Sequence, residues 1–286
     1  MPVQADTTLA NTATDDVASW VPDAALRGAL QAALGKGTPL TKANVATITQ
    51  LNLTYDGITD LTGLEFATNL QALDLTGNTI ADITPLQNLH NLTNLSLRMN
   101  KAKIMPDLSL LAGTPVKSLN LVADDYGTQP DKMAGLAQLT SLEELEMQNN
   151  DLTTVPPVTG LPKLRYLGLA GNKLTSVQAL AGMRQLTELK VGSNQLTDYT
   201  PNASLTNLTT LSIGNNRSND ISMLRSLVNL EEATFSQMGL TNNAVQIFSY
   251  MPKLVTLSID FNDQISDLTP LAGLRQLQSL NFSKDR

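Results

Sequence analysis

The apolar residues of this chain fall in a nine-position block that recurs eleven times, beginning at 48, 70, 92, 116, 142, 164, 186, 208, 230, 254 and 277. Examples are LQALDLTGN at 70–78, LRYLGLAGN at 164–172 and LVTLSIDFN at 254–262. Positions one, four and six are apolar, as in Leu70, Leu73 and Leu75 or Leu164, Leu167 and Leu169. Positions two, three, five, seven and eight are mostly polar or small. This pattern predicts a short strand with its apolar positions turned inward and the rest outward. Position nine is Asn78, Asn100, Asn150, Asn172, Asn194, Asn216 and Asn262, with Asp56, Asp124 and Asp285 in other copies. A short amide there can satisfy backbone groups where the chain leaves the strand, and stacked copies predict a ladder of such amides. Met238 interrupts that ladder and marks the ninth copy as irregular.

The segments between blocks are short, as in ITDLTGLEFATN (58–69) and IADITPLQNLHN (80–91). Apolar residues recur at every third position, Ile80, Ile83, Leu86 and Leu89, a spacing that suits a tight 3₁₀ turn rather than a long helix. Thr84-Pro85 and Thr269-Pro270 read as a cap followed by a first-turn proline. One copy cannot bury its own leucines, so the copies must stack into a continuous core. A 22- to 26-residue period carrying this block is the leucine-rich-repeat signature. The expected fold is an α/β horseshoe: a solenoid with one parallel sheet on the concave face and 3₁₀ or irregular return legs. At about 4.8 Å per strand, ten intervals span roughly 50 Å of arc.

The ends are read separately. Residues 1–19 are polar, without the apolar core of a signal peptide, and are expected to be a disordered leader; Val3 and Ala5 are spaced like small residues at a cleavage site. Residues 20–47 are expected to form a helical N-terminal cap. Asp23 caps a helix carrying Leu26, Leu30 and Leu34 that ends at Gly35 and Gly37, and Thr41 caps a second short helix. Such a cap covers the open end of the first repeat. Residues 48–286 are the array of eleven strands. The chain ends at Arg286 shortly after Phe282, so the last repeat is read as truncated and the natural protein as continuing.

Composition narrows the function. There are 26 acidic and 19 basic residues, a net charge of −7 and no basic run, which argues against nucleic acid or anionic membrane as partner. No apolar stretch reaches the roughly 18 residues of a membrane-spanning helix. With no cysteine and His90 as the only histidine, thiol chemistry is excluded and a serine triad or zinc site has little to be built from. Glu144 and Glu146 are a carboxylate pair of the kind glycosidases use, but alternate positions on an open strand offer no water-excluding pocket. The chain is therefore not read as an enzyme, and no cofactor or metal is expected; Asp124 and Asp125 lack the alternating spacing of a calcium loop.

The segment VPDAALRGALQAALGKGTPLTKANVATITQLNLTYDGITDLTGLEFATNL (21–70), with the 22-residue repeats and the DITPL and DLTPL return legs at 82–86 and 267–271, resembles the internalin-like leucine-rich-repeat surface proteins of Gram-positive bacteria. The resemblance runs from Trp20 onward. It implies an exported protein, cell-surface or cell-wall associated after signal-peptide removal, whose repeats bind a host or environmental ligand.

Outward positions on neighbouring copies form columns. Across the third to seventh copies these give Arg98, Met99, Val122, Glu144, Glu146, Arg165, Tyr166, Glu188 and Lys190, with Gln148 among them. Glu144, Tyr166 and Glu188 share one position number; Glu146, Gly168 and Lys190 share another. Charges of both signs around an aromatic are the make-up of a protein-binding hot spot, and this is the candidate concave patch. Tyr126, in the lengthened segment DDYGTQPDK (124–132), and Phe261, at position eight, are secondary candidates. The small residues Ala170, Gly171, Gly192, Ser193 and Gly214 at positions seven and eight are expected to leave a groove. The expected function is non-catalytic adhesion to a surface protein or a glycoprotein such as mucin, by a monomer without direct membrane insertion. The alternative is a structural stalk presenting other domains of a longer cell-wall protein.

Overall fold

A computed structural model describes residues 16–283. Eleven three-residue strands, one per block, form a single parallel sheet in chain order. They are β1 Gln50–Asn52, β2 Ala72–Asp74, β3 Asn94–Ser96, β4 Ser118–Asn120, β5 Glu144–Glu146, β6 Tyr166–Gly168, β7 Glu188–Lys190, β8 Thr210–Ser212, β9 Glu232–Thr234, β10 Thr256–Ser258 and β11 Ser279–Asn281. Each strand is positions three to five of its block, and like positions face one another: Leu145 meets Leu167, which meets Leu189. Hydrogen bonds fix this register, so every residue's column is its position number.

The core is the stack of positions one, four and six together with the apolar residues of the return legs, nearly all below a tenth exposed. The legs turn through short 3₁₀ segments such as Thr84–Leu86 and Thr269–Gly273. Their start is set one step earlier than the sequence suggests. Thr84 and Thr269 lie inside the turns, and the preceding aspartates accept from their backbone N–H groups, Asp82 and Asp267 each at 2.8 Å. Thin legs behind a closely spaced sheet put the sheet on the concave side of the solenoid.

The amide ladder closes the edge of this core. In most rungs Oδ1 accepts from backbone N–H groups of the preceding repeat and Nδ2 donates to carbonyls at position six; Asn100 differs, its Nδ2 donating to the Ile80 carbonyl at position eleven. Asn172 is representative: it accepts from Asn150 and Leu152 at 3.0 Å each and donates to Met147 at 3.0 Å and Leu169 at 2.9 Å. The rung is missing at Met238, which is buried, and the next amide, Asn262, accepts from the Met238 N–H at 3.0 Å. Asp56 is exposed, outside the buried ladder, and Asp285 lies outside the described residues.

Position eight carries a constraint invisible in its composition. It is left-handed in all ten repeats where it is described: Tyr55, Gly77, Met99, Ala123, Asn149, Gly171, Ser193, Asn215, Gln237 and Phe261 have φ between 54 and 76°. Glycine and asparagine reach that region readily, whereas bulky side chains do so at a cost of about 1 kcal/mol. Several of the small residues there answer a backbone demand, and the expected groove is partly filled. The Tyr55 ring occupies the space beside Gly77, and the Asn149 side chain that beside Gly171.

At the N-terminus, residues 1–15 lie outside the described residues, but 16–19 do not follow the expectation of a disordered leader. Asp16 caps a short helix, α1 (Val17–Trp20), accepting from Ala18 at 3.1 Å. The cap is therefore three helices, not two, with α2 (Ala24–Leu34) and α3 (Lys42–Val45) as expected. The reason is Trp20: it is buried, meets Phe66 edge-on at 5.5 Å and so draws α1 onto the first return leg. Asp23 caps α2 through Ala25 and Leu26 and also accepts from Thr59 at 3.0 Å, tying the cap to the array. A fourth helical turn, α4 (Asn242–Val245), thickens the return leg of the irregular ninth repeat.

Candidate functional site

The register of β5, β6 and β7 brings the predicted central residues together. Glu144, Tyr166 and Glu188 are successive partners across the three strands, as are Glu146, Gly168 and Lys190. Tyr166 is half-buried, and the Lys190 ammonium lies 5.1 Å from its ring centroid, within cation–π range. Burial raises the phenol above its ordinary value, and the positive charge of Lys190 opposes that shift. On the other side Gln148 Nε2 donates to the Tyr166 hydroxyl at 3.4 Å. Gly168 makes this possible, because a Cβ there would lie 2.5 Å from the Gln148 amide nitrogen. Glu146 accepts from Asn120 Nδ2 at 3.0 Å, whereas Glu144 is exposed and makes no ion pair among the described residues. The result is an aromatic ring held from two sides and flanked by carboxylates at Glu144 and Glu188.

Other predicted residues lie elsewhere. Arg165 belongs to the position-two row: its guanidinium reaches Glu143 at 2.5 Å, and Lys117 reaches the same carboxylate at 3.5 Å. The Arg165 hydrogen bond holds the Glu143 carboxyl below the usual carboxylate range. Glu143 and Lys117 were not singled out from sequence, although their shared position two was the available signal. Arg98 is exposed and, with Asp74, lines a shallow recess of about 590 Å³ over β1–β4 among neutral polar side chains such as Gln50, Asn52, Asn94 and Asn120. Met99 is half-buried, its sulfur 3.3 Å from the Tyr55 hydroxyl. Arg98 and Met99 stand three repeats from Tyr166, roughly 15 Å along the sheet; Val122 is half-buried between these two regions.

Two secondary candidates separate. Phe261 is 40% exposed and left-handed, with Asp260 anchored to the Ser283 N–H at 2.9 Å. Tyr126 is fully buried, its hydroxyl donating to the Pro106 carbonyl at 3.3 Å, so it cannot meet a partner. It occupies position eleven, the column of Ile58, Ile80, Leu152 and Leu174, all buried. The lengthened segment is not a projecting loop at this point: it runs through 3₁₀ turns at Tyr126–Thr128 and Pro130–Gln138 that pack against the preceding leg. Asp124 is likewise buried, filling the ladder position.

A recess of about 360 Å³ on the return legs of the eighth and ninth repeats, between Asp220, Arg225 and the exposed Tyr250, went unread in the sequence. His90 is exposed, with Nδ1 3.4 Å from the Gly113 carbonyl. Among the described residues, no group of three or more His, Cys, Asp or Glu side chains could hold a metal ion, and no helix is long and apolar enough to cross a membrane.

Known proteins agree with this architecture. Leucine-rich-repeat family profiles match residues 66–83, 140–196 and 184–226. A search of curated proteins finds no match. Among solved structures, internalin C2 of Listeria monocytogenes is 32% identical, with 93% of this chain covering 96% of that one at a TM-score of 0.56. An internalin (inlF) of the same species is 27% identical, with 94% and 98% coverage and a TM-score of 0.54. The functional domain of Listeria monocytogenes InlJ, described as including a cysteine ladder, is 26% identical, with 93% of this chain covering 60% of that one at a TM-score of 0.65. This chain has no cysteine, and the edge of its core is closed by amides. A stacked sheet of this kind, with outward side chains free to vary on a fixed core, is a scaffold for protein–protein interaction. With its capped N-terminus, its 22-residue repeats and this degree of identity, the chain belongs to the internalin-like leucine-rich-repeat proteins.

Proposed function

We propose that this chain is a non-catalytic recognition module, exported and held at the cell surface, that binds a host or environmental protein or glycoprotein through the concave sheet face centred on Tyr166. The observation that carries this reading is the in-register row Glu144–Tyr166–Glu188 with Lys190 over the ring. A rigid, half-buried aromatic ringed by charge loses little entropy on binding and offers both apolar area and polar contacts, the combination found at interface hot spots. Arg98, Met99 and Val122 extend the surface toward β3 and β4, and Phe261 marks its far end. Arg165, engaged with Glu143, contributes through that ion pair at the rim.

The test compares the chain with its Tyr166→Ala/Glu144→Lys variant for binding to intact epithelial cells and to a mucin layer. Circular dichroism and urea midpoint establish equal folding. Loss of saturable binding in the variant supports recognition at this patch. Equal binding by both proteins moves the site elsewhere on the sheet, and no binding by either favours the stalk.

A further inference from the structure

The fourth rung of the ladder differs from the asparagine rungs in one atom, and that atom is a buried oxygen with no hydrogen-bond partner among the described residues. Asp124 is 1% exposed and stands where every other buried rung has asparagine. Its Oδ1 behaves as in the other rungs, accepting from the Asn100 N–H at 2.6 Å. Its Oδ2 replaces the amide nitrogen that donates elsewhere, and it has no hydrogen-bond partner.

The acceptors show what that atom should do. From Leu53 to Ile259 there are ten position-six carbonyls, and nine receive a ladder amide: those of Leu53, Leu75, Leu121, Met147, Leu169, Val191, Ile213, Phe235 and Ile259. The tenth, Leu97, receives none. Most rungs also donate to position six of their own repeat, but Asn100 turns its Nδ2 to the Ile80 carbonyl instead. That leaves Leu97 to the following rung, the carbonyl that an amide at 124 would address, since Asn150, Asn172 and Asn194 each donate to position six of the repeat before them. By the register of the other rungs, an ionised Asp124 would turn a carboxylate oxygen toward that carbonyl in a buried site, two acceptors without a donor. One proton on Oδ2 restores the pattern.

We propose that Asp124 is a protonated rung, its Oδ2–H donating toward the Leu97 carbonyl, and that its ionisation loosens the junction between the third and fourth repeats, making this junction a pH-sensitive latch. Burial pushes the carboxyl up to about 8. The charged and titratable groups around it are Lys101 from the third repeat, which favours ionisation, and Asp125 beside it, which opposes it; Tyr126 is buried and neutral. Lys101 and Asp125 also face each other at 4.0 Å. Asn150, the rung that follows, carries no charge.

The sign follows from where the proton sits. The folded chain keeps a proton that the unfolded chain releases near the ordinary carboxylate value. The contribution is therefore complete below that value and declines as pH rises toward the folded-state value. Asp124→Asn supplies a permanent donor of the same shape, so it should remove this decline.

The experiment measures urea midpoint and thermal midpoint of the wild type, Asp124→Asn and the exposed control Asp125→Asn from about pH 5 to about pH 9, with hydrogen exchange of the segment 98–129 over the same range. The midpoint of the wild type should fall relative to D124N as pH rises, by several degrees at the alkaline end, while D125N follows the wild type. Exchange in 98–129 should quicken above about pH 8 in the wild type, after correction for the intrinsic rate, and not in D124N. The infrared spectrum of the wild type at neutral pH should contain a protonated-carboxyl band that D124N lacks. Parallel midpoint profiles for wild type and D124N, or no such band, would overturn the proposal. None of these readouts requires a ligand, so they stand or fall independently of the recognition surface.

Discussion

Lys190 Nζ lies 5.1 Å from the centroid of the Tyr166 ring on the neighbouring strand, although the two residues are 24 apart in sequence. The contact exists because the repeat brings position five of the seventh copy beside position three of the sixth. Lys190→Met should leave folding unchanged and remove the charge that favours the phenolate. The Tyr166 phenol, already raised by burial, should then titrate still higher. Difference absorbance at the tyrosinate band, with Tyr166→Phe to assign the transition, measures this; a downward shift would mean that Lys190 does not face the ring in solution.

Asn172 makes four buried hydrogen bonds to two repeats, and Asn172→Ala removes its bonds to the Asn150 and Leu152 N–H groups and the Met147 carbonyl, while the Leu169 carbonyl keeps the Asn194 amide. Each buried orphan costs about 1–3 kcal/mol, so the unfolding free energy should drop by about 3 kcal/mol or more. Asn94→Ala, at an exposed position three, should change it by less than about 0.5 kcal/mol. Urea unfolding of the two variants makes the comparison, and near-equal losses would argue that the ladder is not a main source of stability.

A buried amide can also be a defect. Asn202 is fully buried and neither amide atom has a partner. It follows Thr200-Pro201 where the equivalent turns have Leu86 after Thr84-Pro85 and Leu271 after Thr269-Pro270, both buried. Asn202→Leu should stabilise the chain by about 1–3 kcal/mol, the cost of the unsatisfied group. An unchanged or lowered urea midpoint would show that the amide finds partners or that leucine does not fit.

Much of this architecture was legible because the constraint is one-dimensional. Leucines at positions one, four and six fixed the strands, and identical position numbers fixed the register, so Glu144, Tyr166 and Glu188 could be placed side by side by counting. Tyr126 could have been placed by the same counting, since position eleven is an apolar column; its insertion context drew attention away from its position number. The left-handed column at position eight was harder to see. Gly77, Gly171, Asn149 and Asn215 signal it, but Tyr55, Met99 and Phe261 do not, because nothing in a bulky side chain announces a positive φ. The helix at 17–20 depended on Trp20 meeting Phe66, a contact that no local pattern encodes.

Phe261 combines 40% exposure with φ 56°. Phe261→Asn should relieve the backbone and raise stability by about 1 kcal/mol. If the aromatic is kept for recognition, the same variant should bind more weakly while melting higher. A lower melting temperature would mean that the ring contributes more packing than its exposure indicates.

The central claim is that the concave face around Tyr166 recognises a surface ligand. The most direct measurement is equilibrium binding of the labelled chain to epithelial cells and mucin, with protease- and glycosidase-treated surfaces and the Tyr166→Ala/Glu144→Lys variant in parallel. Saturable binding that disappears with one treatment and falls at least tenfold in the equally folded variant is the predicted result. Binding of undiminished affinity in that variant, or no saturable binding to any surface, would contradict it.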